Sequence, residues 1–133
     1  MSCLFNSLAA LLFDRPRLLR ESPFEELRGT PWPPTGRELR AAVCELLRRD
    51  VLRVHGIGLG EWGAMEAGTR SDAYVRLMRD EGTWGGGVEI AALAAALRVP
   101  IEVDGAARAT FGEAFKRRPL RLHYTGSHYT PRP

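Results

Sequence analysis

Leu4, Leu8, Leu11 and Leu12 recur at helical spacing near the start of the chain, and Asp14-Arg15-Pro16 is a turn signal that ends the run. The pattern predicts a first helix with Cys3 at, or just before, its N-terminus. Five prolines between residues 14 and 35 predict mostly loop, with one short helix near Glu25–Leu27. Thr35, with Glu38 three residues on, reads as a capping box opening a long amphipathic helix. Its stripe is Leu39, Ala42, Val43, Leu46 and Leu47. Ser71 to Asp80 reads as a helix with Tyr74, Leu77 and Met78 on one face. After the turn Gly82-Thr83-Trp84-Gly85-Gly86-Gly87, the Ala/Leu-rich run Val88 to Leu97 predicts the strongest helix, ended before Pro100.

The last third changes period. Ile101-Glu102-Val103 and Leu120 to Tyr124 alternate as strands, and Asp104-Gly105 reads as a turn pair. Thr125-Gly126-Ser127 turns the chain into a last short strand, His128-Tyr129-Thr130. Helices first and strands last, without βαβ alternation, predict an α+β fold with a small, mostly antiparallel sheet flanked by helices. A chain of 133 residues suits one domain, spanning 1–133.

Apolar and charged fractions of 44% and 26% are those of a soluble globular protein. No run approaches the roughly 20 apolar residues of a membrane span, and no secretory signal pattern opens the chain. A net charge of +3 with interspersed signs argues against nucleic acid as a partner, and Lys116-Arg117-Arg118 reads as a solvated loop. The glycines at 56, 58, 60 and 63 fit no phosphate loop. Two cysteines in different contexts form neither a disulfide framework nor a zinc site, so the expectation is reduced thiols in the cytoplasm. Cys44 falls inside the long helix beside its apolar stripe and reads as a packing residue.

Cys3 is the residue with chemistry. A thiol at a helix start meets the positive end of the dipole and unpaired amides, both of which favour thiolate. A histidine brought alongside completes the pair that attacks and then protonates a leaving amine. His55, His123 and His128 are the candidates, and spacing alone does not choose among them.

Three separated blocks supply a choice. Cys3-Leu4-Phe5-Asn6-Ser7-Leu8 resembles the nucleophile motif of the OTU (ovarian tumour) cysteine proteases. Trp84-Gly85-Gly86-Gly87-Val88-Glu89-Ile90-Ala91-Ala92-Leu93-Ala94, with Tyr74 and Met78 upstream, resembles their central Trp-Gly-Gly stretch. Leu120 to Tyr129 resembles the closing hairpin that delivers His-Tyr. The resemblance implies a papain-like fold with Cys3 as nucleophile and His128, the His-Tyr that follows the turn, as base. It leaves His123 on the preceding strand and His55 without a role, and it implies no metal or organic cofactor. It further implies a substrate groove at Trp84, Gly85, Gly86 and Tyr129, in which glycines admit a close backbone. Each has a plainer reading too: Trp84 as core, Tyr129 as packing behind the base, Glu89 as a cap at a helix start.

Two departures stand out. The family carries an acidic residue three positions before the nucleophile, on a loop that helps form the oxyanion hole; here only Met1 and Ser2 precede Cys3, leaving the Cys3 amide as a donor. The orienting acid, two residues after the histidine, aligns with Thr130, whose hydroxyl is a weak orienter because it carries no charge. The expectation is therefore a monomeric deubiquitinase-type isopeptidase acting on ubiquitin or a ubiquitin-like protein, of viral or effector type. The alternatives are a polyprotein-processing protease of the same fold and an inactive ubiquitin-binding module.

Overall fold

The structure, a computed structural model, describes residues 3–133. Helix α1 (Cys3–Phe13) begins at Cys3 and buries Leu4, Phe5, Leu8 and Leu12. Helix α4 (Gly36–Arg49) is capped as its sequence predicts: the Thr35 hydroxyl accepts from the Glu38 amide at 3.2 Å and donates to the Glu38 carboxylate at 2.8 Å. Between them lie α2 (Pro16–Arg20) and α3 (Glu25–Arg28). The proline-rich stretch thus holds a second helix that its composition hid. Pro16 sits in the first turn of α2, where its missing N–H costs nothing.

A two-stranded hairpin, β1 (Arg53–Val54) and β2 (Ile57–Gly58), leads into α5 (Leu59–Ala67), a helix the glycine-punctuated sequence did not announce. Packing overrides propensity here. A side chain at Gly63 would collide with the Tyr74 ring, so this glycine lets α6 (Ser71–Arg79) lie close against α5. Helix α7 (Gly87–Leu97) is apolar nearly all round and fills the middle of the molecule.

The main sheet runs β4-β3-β5-β6, with β3 (Ile101–Gly105), β4 (Ala109–Phe111), β5 (Leu120–Tyr124) and β6 (Tyr129–Arg132). One expectation changes, and one pairing departs from the mostly antiparallel pattern. Asp104 and Gly105 do not turn the chain but extend β3, where they pair with His123 and Tyr124. The sheet is antiparallel at β3–β4 and β5–β6 but parallel at β3–β5. The cause is the segment after Gly105: it lays β4 on one side of β3 and then carries the chain across to the other, so β5 runs in the same direction as β3. Ile101, Val103, Leu120 and Leu122 face the core, while Glu102, Asp104, Arg121 and His123 share the opposite face. Among the described residues no helix is long and apolar enough to cross a membrane.

Candidate active site

Cys3 occupies the first position of α1, half-buried and free. One turn later the Ser7 hydroxyl, itself buried, donates to the Tyr129 carbonyl at 3.0 Å, which ties the helix to β6. The first turn of α1 and the start of β6 are therefore neighbours. Burial pushes the Tyr129 hydroxyl above its ordinary range, and the charges of Tyr124, Cys3 and Glu89 add to that effect. The Tyr129 ring stacks on Tyr124 with centroids 4.7 Å apart, consistent with packing behind the strand.

His128 ends the turn that precedes β6. The turn is closed by Thr125, whose amide donates to the His128 carbonyl at 2.9 Å and whose hydroxyl accepts from the His128 amide at 3.0 Å. The His128 ring lies 5.4 Å from the Trp84 ring, tilted by 54°. Trp84 is 45% exposed, which removes the plainer reading of it as a core residue. Gly85, next along, is buried against α1: a Cβ there would come within 2.8 Å of Leu4 and 3.0 Å of Phe5. The turn therefore passes close over the two residues that follow Cys3. Cys3, Trp84, Gly85, Gly86, His128 and Tyr129 thus belong to one corner of the molecule.

Thr130 is exposed, and its hydroxyl makes no hydrogen bond among the described residues. It pairs with His123 across β5–β6, so the two share the outer face of the sheet. His123 is committed there: its Nδ1 lies 2.8 Å from Asp104 Oδ1, and the other Asp104 oxygen pairs with Arg132. His55 is exposed in the β1–β2 turn, with a positive φ of 53°. Cys44 is fully buried in α4, and burial raises its thiol to about 11. It is a packing residue, as its place beside the stripe suggests.

Sequence reasoning missed Arg40. It is buried with its guanidinium 4.6 Å from the Phe5 ring centroid, donating at 2.8 Å to the carbonyls of both Met78 and Thr83. The signal was present: Arg40 stands three residues before Val43 and seven before Leu47, on the buried face of α4. Glu89, read as a cap, is also buried. Its carboxylate accepts from the Gly86 amide at 2.8 Å and the Tyr74 hydroxyl at 2.5 Å. Burial pushes the Glu89 carboxyl above the usual range, opposed by these two donors and by the charge of Arg40. An open apolar groove of about 570 Å³ begins at Gly87 and Val88 and is lined further by Val54, Trp62, Phe111 and Phe115. Among the described residues no cluster of His, Cys, Asp and Glu is arranged to hold a metal.

A family model described as OTU-like cysteine protease matches residues 2–131. No curated protein matches the chain. Among solved structures, an ovarian tumor (OTU) domain in complex with ubiquitin aligns with a TM-score of 0.69 at 20% identity, covering 98% of this chain and 62% of that one. The viral OTU domain protease from Dera Ghazi Khan virus aligns with a TM-score of 0.62 at 22% identity, covering 98% and 72%. At these identities the likeness is one of fold, and the chain spans only 62% of the first structure's length. The match along nearly the whole sequence, on a fold shared with solved OTU domains, is decisive: this chain belongs to the OTU-like cysteine protease family.

Proposed function

We propose that this chain is a thiol isopeptidase that releases ubiquitin or a ubiquitin-like protein from a lysine side chain. The observation that carries the reading is the convergence of the α1 N-terminus, the Trp84–Gly86 turn and the His128 ring at one corner. The Cys3 thiolate attacks the carbonyl carbon at the end of the modifier, and the Cys3 amide helps hold the oxyanion. The carbon–nitrogen bond then breaks, and the His128 imidazolium gives its proton to the departing lysine amine. Water activated by the neutral imidazole hydrolyses the thioester. In sequence Thr130 stands two residues after His128, where the family's orienting acid falls, and an uncharged hydroxyl there favours a chain that runs chiefly as a Cys–His dyad.

A tail ending in two glycines suits the turn, because Gly86 carries no side chain and borders open space, so a substrate backbone can approach it closely. The apolar groove that starts at Gly87 offers a seat for the body of a folded modifier. Both thiols are free, which suits a reducing cytosolic setting and a monomer.

The test is incubation with ubiquitin carrying a C-terminal propargylamide, followed by mapping of the modified cysteine. A single adduct at Cys3, absent in Cys3→Ala and retained in Cys44→Ala, is the expected result. Binding of ubiquitin without adduct or turnover would instead identify an inactive binding module. An adduct at Cys44 would refute the assignment of the nucleophile.

A further inference from the structure

Arg40 and Glu89 are the two charged side chains that the fold buries among the described residues, each 1% exposed. Both are used on the same short loop. Arg40, from α4, grips the Thr83 carbonyl immediately before Trp84, and the same guanidinium holds the Met78 carbonyl in the last turn of α6. Glu89, from the first turn of α7, accepts the Gly86 amide at the other end of the turn. Tyr74, from α6, steadies the second Glu89 oxygen. The face of the guanidinium meanwhile lies over Phe5, two residues beyond Cys3 on α1. One cation therefore touches the helix that begins with Cys3, the helix that precedes the loop and the loop itself.

Burying a guanidinium and a carboxylate costs several kcal/mol each before their hydrogen bonds offset it, and apolar residues would fill the same space more cheaply. The loop gains what apolar packing cannot give it. Trp84 is half exposed and Gly85 and Gly86 have no side chains, so burial alone does not fix the path of the chain here. A fork that bridges two carbonyls and a carboxylate that fixes one amide do so. We infer that Arg40 and Glu89 are positioning residues: a buried clasp, gripping Thr83 at one end and Gly86 at the other, that holds the Trp84–Gly86 turn over the first turn of α1 as the rim of the tail channel.

The inference rests on the proposed isopeptidase reading for its functional half only, and the experiment separates the two. Arg40→Lys keeps the charge but cannot bridge both carbonyls. Because Arg40→Met alone would strand a buried carboxylate, the second variant is the pair Arg40→Met/Glu89→Leu, which removes both charges together. On the full chain, amide hydrogen exchange at residues 84–86 is expected to quicken by roughly 10-fold or more in both variants, at unchanged secondary structure. Labelling of Cys3 by the ubiquitin propargylamide is expected to slow by a similar factor. Alkylation of Cys3 by iodoacetamide, which needs no channel, is expected to stay within about three-fold. Unchanged exchange at residues 84–86 overturns the clasp. A parallel fall in both labelling reactions overturns its role in the channel, since the effect then lies on the nucleophile or the fold as a whole. If wild-type protein ignores the ubiquitin probe, the isopeptidase reading fails and the exchange measurement still decides the clasp.

Discussion

His123-Tyr124 and His128-Tyr129 are the same dipeptide on neighbouring antiparallel strands, five residues apart, yet the fold treats them in opposite ways. His123 has what a catalytic histidine is usually said to need, an aspartate on Nδ1 at 2.8 Å, and that aspartate is held in turn by Arg132. It lies on the polar outer face of the sheet, in register with Asp104 and Thr130. Among the described residues, His128 has no acidic partner. It has instead a tight turn that fixes its backbone and the ring of Trp84 beside it, next to the start of α1. On the proposed reading, location outranks hydrogen bonding in assigning a base: the well-held His123 sits on the outer face of the sheet, while His128 sits at the corner where α1 begins.

The comparison breaks most easily through the rate. His128→Ala is expected to lower turnover of a fluorogenic ubiquitin substrate by at least ~10²-fold, while His123→Ala stays within a few-fold. A larger loss from His123→Ala at intact fold would reverse the assignment. The orienting position gives a smaller effect. Thr130→Ala should cost far less than the ~10⁴-fold loss known for disabling a triad aspartate, and Thr130→Asp should match or exceed wild type, its pH–rate profile broadened on the side where imidazolium is needed. Near-total loss in a folded Thr130→Ala would replace the dyad with a Cys–His–Thr triad.

Stability changes sharpen the contrast further. Asp104→Asn should cost on the order of 1 kcal/mol in denaturant melts, since the His123–Asp104–Arg132 cluster is only partly shielded from solvent. Activity should follow only as far as β6 loosens. The smallest effect is a pH dependence. Glu89 has a raised folded value, so its protonated form is the one the fold prefers, and that preference is lost as pH rises through the folded value. The difference in unfolding free energy between Glu89→Gln and wild type should therefore shift in favour of the glutamine variant as pH climbs from acid to neutral. Among the described residues, Tyr74, Cys44, Tyr129 and Arg40 are the titratable and charged groups around that carboxylate, and only Arg40 is charged across this range. A flat difference would mean that Glu89 ionises in the folded protein as it does unfolded.

The sequence was most legible where periodicity is strong. The stripes of α1, α4 and α7 and the alternation of β3 and β5 are carried by residues that only one face of a helix or sheet can bury. Cys3 at a helix start and His128 after a turn were legible through the motif blocks. The parallel pairing of β3 with β5 was not, because it depends on which side of β3 the chain returns to, and a local pattern holds no such information. Helix α5 was hidden by Gly60 and Gly63, whose meaning lies in the backbone of Leu47 and the ring of Tyr74. Arg40 was missed for a related reason. A charge at a core position looks like a neutral fact in a composition and becomes a clasp only when Met78 and Thr83 are folded onto it.

The hydrogen bond from Ser7 to the carbonyl of Tyr129 spans 122 residues of chain. A corner drawn from both ends of the described sequence has a kinetic meaning. Closing so long a loop is costly in entropy, and contacts between distant parts of a chain are slow to form. A chain still lacking β6 has neither the His128 turn nor the strand that caps α1, so on the proposed reading reactivity toward a ubiquitin electrophile is expected only once β6 has joined the sheet. Loss of that reactivity on heating is then expected to coincide with global unfolding, which would make the corner a built-in reporter of complete folding.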